Sequence, residues 1–230
     1  MSERRAPALT ATLLAIAAVS LRRLLRGKGL WVGAIIAAIP PVLSSWMHRV
    51  TAHDLFVFEI LIVGVLSAMF VSSGIGEELE DRTATYVWSR PVARWSLPLG
   101  KLFALGPIAF ALSAASWYAM HSNVLGGAPP LASFGALAAE TVAISAVGAA
   151  IALLIPKHAM ALTIAYMVFI DVPLGLIDAK LRNLSISYQT RALAELEWSA
   201  SSQASGAIGL AAIAAVWSLV VVLRLRRLEA

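Results

Sequence analysis

The chain has 230 residues, of which 60% are hydrophobic and 13% charged, where an ordinary soluble domain carries about 25% charged residues. Its mean hydropathy of +0.81 excludes a large soluble domain and points to a multi-span membrane protein. Cysteine is absent, which excludes disulfides, thiol catalysis and cysteine-ligated metals; the net charge of +5 suits the cytoplasmic edge of a bilayer better than nucleic acid, given where the basic residues fall.

The predicted elements follow from apolar runs of the length that crosses a bilayer, about 20 residues. Met1-Ser2-Glu3-Arg4-Arg5 leads into an apolar stretch without a small-residue cleavage site, so it reads as mature sequence. The apolar run 9–21, about 13 residues, is short for a span and is followed by Arg22, Arg23, Arg26 and Lys28, which predicts an amphipathic helix lying at the interface over 8–27. The first span is expected at 30–47, interrupted by Pro40 and Pro41, and the second at 55–74. A charged segment at 76–98 leads to the third span at 99–120, with Pro107 inside it. The Gly-Gly-Ala-Pro-Pro turn at 126–130 precedes the fourth span at 131–155. The fifth is expected at 159–177, with Pro173 near its end, and the sixth at 207–223. Between these two, residues 178–205 are too polar to span. Leu181, Leu184, Tyr188, Leu193, Leu196 and Trp198 give that stretch amphipathicity and predict a short interfacial helical hairpin rather than an outer gate. The seven tryptophans are expected near span ends, as interface anchors.

Lysine and arginine set the orientation, because cytoplasmic loops collect them. With the N-terminus inside, the inner segments carry six, four, one and three of them, which makes fourteen, and the outer segments carry Arg49, Lys180, Arg182 and Arg191. Both termini are therefore expected in the cytoplasm of an inner or plasma membrane. The segment between spans two and three falls on the same side.

That segment runs from Gly76 to Lys101 and holds four of the thirteen acids. Its order is Glu77, Glu78, Glu80, Asp81, Thr83, Tyr86, Val87, then Ser89-Arg90-Pro91-Val92, Arg94, and Leu99-Gly100-Lys101. This block resembles the link between spans two and three in the membrane subunits of type-2 ABC exporters. It covers about 25 residues, and the six-span layout, the basic interfacial helix and the long last outer loop are similar too. Arg82 stands where that family usually has Gly, which bears on a tight turn there. The resemblance implies an all-α membrane protein with six transmembrane helices, an N-terminal interfacial helix, a cytoplasmic coupling helix between spans two and three, and short outer helices between spans five and six. It implies a permease subunit driven by a separate cytoplasmic ABC ATPase in two copies, and a second permease copy as homodimer or heterodimer.

Physical reasoning bears on the same role. A short helix carrying acids and arginines can dock in a partner's groove and pass its movement to the spans it joins. Pro91 disfavours helix at Arg90, so a helix near 79–89 is expected to end there. Glu77, Glu78, Glu80, Asp81, Thr83, Arg90, Pro91 and Arg94 are the candidate coupling residues; the plainer reading is a solvated charged loop. Gly100-Lys101 is not a phosphate-binding loop, since Trp95 stands where the first Gly belongs and Leu102 where the hydroxyl belongs. ATP and Mg are therefore expected on the partner ATPase, with no cofactor, catalytic residue or metal in this chain.

Three acids fall inside predicted spans, Glu59, Glu140 and Asp171, all in the outer half. Intramembrane carboxylates are costly and are functional candidates by default. They suit a polar lining of the pathway or a proton-sensitive cluster, or else they stay neutral or pair with Arg49, Lys180, Arg182 or Arg191. A metal held by them with His48, His53 or His121 matches no ligand spacing. Three rival functions remain: a permease-like subunit passing force to an extracytoplasmic, for example periplasmic, partner; an integral membrane enzyme using the three acids; and a proton-coupled carrier. The substrate is not legible in the sequence.

Overall fold

The computed structural model describes residues 9–46, 50–81, 93–196 and 202–227. These residues form helices and turns, with no strand among them. Helix α1 (Leu9–Arg26) and α2 (Gly29–Ser44) meet at 72° across a two-residue break. Helix α3 covers Ala52–Glu80, α4 Ser96–Val124, α5 Leu131–Leu154, α6 Pro156–Leu176 and α8 Gln203–Arg227. Between the last two, a single 3-10 turn (Lys180–Leu184) precedes the short α7 (Ile186–Leu193). Helices α3, α4, α5, α6 and α8 are each long and apolar enough to cross a membrane, and the bent α1–α2 pair raises the number to six if it forms one span. The large side chains on the outside suit that setting: Trp31, Phe103, Leu131, Phe169 and Ile208 are all well exposed, a surface that water would penalise and lipid would not.

Helices α3 and α5 form the interior, while α6 and α8 lie at the periphery. Two apolar clusters fill the bundle. One gathers Leu66, Phe70, Val71 and Ile75 of α3 with Leu105 of α4, Leu153 of α5 and Leu225 of α8. The other gathers Phe56, Ile60 and Val63 with Trp117, Leu137, Ile144 and Met167. Where α3 crosses α5 the backbones approach closely: a methyl group at Gly148 would lie 2.9 Å from Ser72 Cβ. Ser72 donates to the Gly148 carbonyl at 3.2 Å and shares a 2.9 Å hydrogen bond with Thr163 of α6. Helices α3 and α6 each contain one π-helical turn, Ala68–Ser72 and Met167–Asp171.

The helix ends differ from the sequence expectations in instructive ways. Helix α3 starts earlier than 55, because Thr51 and Asp54 form a capping box, Thr51 N–H to Asp54 Oδ2 at 3.0 Å and Asp54 N–H to Thr51 Oγ1 at 3.3 Å. It also runs past 74 to Glu80, since hydropathy falls there while Glu and Leu remain good helix formers. The first acids therefore belong to the last turns of a long helix; most of the helix expected at 79–89 lies outside the described residues. The segment after α6 departs further. Helix α7 is buried along seven of its eight residues and packs on α8, α5, α6 and α3, so it is sunk into the bundle and is not a surface hairpin. Leu181 and Leu184, expected on the packed face, are 58% and 61% exposed. Trp117 also departs from the anchoring pattern. It is fully buried, donates to Ser133 Oγ at 2.8 Å and stands edge-on to Phe56.

Basic residues gather at one end of the bundle. The ends of α1, α3, α5 and α8 meet there with the starts of α4 and α6: Arg23 reaches Glu77, and Arg224 donates to the Leu153 carbonyl at 3.4 Å. This is the basic end below.

Candidate functional site

At the basic end the acidic block divides into two faces. Glu77 pairs with Arg23 of α1 at 2.9 Å, with 51% and 62% of the two side chains exposed, so the contact contributes about 0–1 kcal/mol. Glu78 turns inward, and its Oε1 lies 2.7 Å from Lys101 Nζ of α4. The Lys101 side chain is only 3% exposed and also donates to the Gly74 carbonyl. Leu79 packs against the core, while Glu80 and Asp81 face solvent. No ion pair among the described residues reaches Glu80 or Asp81.

Electrostatics makes those two acids conspicuous. The C-terminal end of a helix already carries negative partial charge, and acids placed there are unfavourable by about 0.3–1 kcal/mol each. Arg23 and Lys101 offset Glu77 and Glu78; Glu80 and Asp81 are left as a negative patch at the tip of a membrane-length helix. Arg94 is half-buried just before α4. Thr83, Arg90 and Pro91, with Arg82, Tyr86, Val87, Ser89 and Val92, lie outside the described residues.

Near the opposite end the three intramembrane acids come together. Glu59 of α3, Glu140 of α5 and Asp171 of α6 are all 0% exposed, and the charges of Asp171, Glu59 and Arg191 all act on Glu140. Glu59 accepts from Ser116 Oγ of α4 at 2.8 Å. Asp171 is committed to α7: its carboxylate accepts from the Ile186 N–H at 2.6 Å and the Ser187 N–H at 2.8 Å. Ser185 donates to the Asp171 carbonyl at 3.0 Å and accepts from the Tyr188 N–H at 3.1 Å. Asp171 and Ser185 thus satisfy the first amides of α7, which an isolated helix leaves to water. Arg191, 2% exposed, ties the other end of α7 down by donating to the Gly175 carbonyl at 2.8 Å. Helix α7 also presses on α8, where a methyl at Gly206 would lie 2.6 Å from Leu193 N and 2.8 Å from the Gln189 carbonyl.

Glu140 is the member of this cluster with no structural duty. Both its oxygens, and Glu59 Oε1, have no hydrogen-bond partner among the described residues. Of the four basic residues considered as partners, Arg191 is the one drawn into the cluster; Arg182 pairs instead with Asp178 at 3.2 Å and covers the Tyr188 ring. Arg49 and His48 lie outside the described residues, and His53 is engaged with the Leu196 carbonyl at 2.6 Å.

Sequence reasoning missed Arg23 and the inward turn of Glu78, and it missed Ser116 and Ser185 as partners. Lys101 did carry a signal, because a lysine in Leu-Gly-Lys-Leu-Phe at the start of a span needs either an exit to water or an acid. The Asp171 carboxylate stands fifteen and sixteen residues from the Ile186 and Ser187 amides it accepts from, a long-range cap that no local pattern announces.

No protein-family model matches the sequence, and no curated protein does.

Proposed function

We propose that this chain is the membrane-spanning subunit of an exporter driven by a separate ATP-binding-cassette ATPase. The observation that carries the reading is the negative patch of Glu80 and Asp81, exposed at the tip of α3 and continuous in sequence with Ser89-Arg90-Pro91-Val92. A helix of 29 residues is about 43 Å long, so a load on its tip is delivered across the bundle. The Lys101 and Arg23 contacts carry the same load sideways into α4 and α1. In this reading α1 lies at the cytoplasmic interface, α3, α4, α5, α6 and α8 are spans, the bent α1–α2 pair supplies the sixth through α2, and both termini are cytoplasmic. ATP and Mg sit on two ATPase subunits, and a second permease copy completes the pathway. The resemblance of the acidic block supports the family; the paired and unpaired acids support the division between bracing and docking.

Glu80→Lys with Asp81→Lys tests it. These side chains make no ion pair among the described residues, so insertion and folding are expected to persist, while a copurifying ATPase is lost. Retention of the ATPase at wild-type stoichiometry in the double variant overturns the docking role.

A further inference from the structure

We propose that the groove between α4, α5 and α8 at the basic end is a binding site for an anionic phospholipid. The site is independent of whether an ATPase docks on α3. A cavity of about 610 Å³ runs between these helices. Its α5 wall is made of Ser145, Ala146 and Ala149, whose small side chains leave the width of the groove open. The facing wall of α8 runs from Ser218 to Arg226, about 12 Å of rise. This length is apolar, through Val221, Val222 and Leu225.

The groove is polar at one end. Arg94 before α4 and Arg226 in the last turn of α8 both line it, beside Trp95, which is 37% exposed. Among the described residues no acid lines it. An occupant must therefore be an amphiphile with an anionic head, since arginine forks match phosphate oxygens and tryptophan favours the headgroup level. The Ser145 hydroxyl, buried on the apolar wall, has no hydrogen-bond partner among the described residues. A second copy of the chain would satisfy the apolar wall alone, and it would bring no phosphate to Arg226.

The test uses the full chain purified in detergent and offered phosphatidylglycerol and phosphatidylcholine with identical acyl chains, with retained lipid counted by native mass spectrometry. The wild type is expected to keep phosphatidylglycerol at least about fivefold better than phosphatidylcholine, and Arg226→Gln is expected to lose about fivefold of that retention, the effect of one basic residue near an anionic head. Ala149→Phe, which fills the groove, is expected to reduce both lipids. Because the chain has no cysteine, Val222→Cys gives a second readout on an otherwise unchanged protein. Maleimide labelling at position 222 should slow in phosphatidylglycerol vesicles and not in phosphatidylcholine vesicles. Equal retention of the two lipids by the wild type, unchanged retention in Arg226→Gln, or near-complete disulfide dimer formation through position 222 would each overturn the proposal.

Discussion

Glu78→Gln should destabilise the protein more than Lys101→Met, although both changes break the same 2.7 Å contact. The asymmetry comes from what each variant leaves behind. In Glu78→Gln the ammonium of Lys101, with 3% of its side chain exposed, keeps the Gly74 carbonyl and loses its counter-ion. A buried charge stripped of its partner costs about 3–5 kcal/mol. In Lys101→Met a thioether chain of similar length fills the same space, and the Glu78 carboxylate, 20% exposed, can turn to water. Only the hydrogen bonds are lost, at about 1–3 kcal/mol. The double variant leaves no buried charge, so its loss should fall short of the summed single losses by about 3 kcal/mol. Thermal unfolding in detergent, followed by tryptophan fluorescence and repeated as an SDS titration, measures the order and the coupling. The reasoning fails if Lys101→Met is the worse change, or if the two losses simply add.

Two further outcomes concern α7. Asp171→Asn keeps one acceptor for the Ile186 and Ser187 amides and turns an NH2 group toward the other; losing one charged hydrogen bond costs about 1.5–3 kcal/mol, and amide exchange over residues 186–193 should accelerate ahead of the rest of the bundle. Unchanged protection there would mean that Asp171 does not hold α7. Gly206→Ala should cost about 1–3 kcal/mol, because the added methyl meets backbone atoms at 2.6 and 2.8 Å and no rotamer change relieves it. Gly135→Ala is the control: its methyl meets nothing within 4 Å, so thermal unfolding should be unchanged or raised, as helix propensity alone predicts.

Hydropathy made the long helices legible, because a run of apolar residues dictates both helix and membrane when backbone groups have no water to bond. It could not fix their ends. Thr51 and the Glu77–Glu80 turn lie outside the apolar run, yet capping and helix propensity extend α3 through both. Glu59, Glu140 and Asp171 were legible as a set, since three carboxyls within apolar runs demand company, but their unequal roles were not. Asp171 holds α7 through amides fifteen and sixteen residues away, and Glu140 accepts no hydrogen bond among the described residues; both read simply as an acid in a span. Helix α7 was misjudged for the reverse reason. Its polar composition, Ser187, Gln189, Thr190 and Arg191, looks like surface, and it is buried because partners on α6 and in the Lys180–Leu184 turn satisfy those groups: Arg191 reaches the Gly175 carbonyl, and Gln189 donates to the Asn183 carbonyl at 2.7 Å.

The acidic block shows why a charge count alone does not locate a docking surface. Glu77, Glu78 and Glu80 share one helical end, where side chains turn by about 100° per residue, so one faces α1, one faces α4 and one faces solvent. Charge reversal at Glu78 would place two cations together in a nearly closed space, and the fold would give way before any partner was consulted. Reversal at Glu77 would first disturb an exposed contact that contributes about 0–1 kcal/mol, leaving partner loss and a shift of α1 indistinguishable. Glu80 and Asp81 make no ion pair among the described residues and face solvent, so their charge acts outward. A partner that reads this end must read those two positions, and a partner that ignores them does not dock on α3.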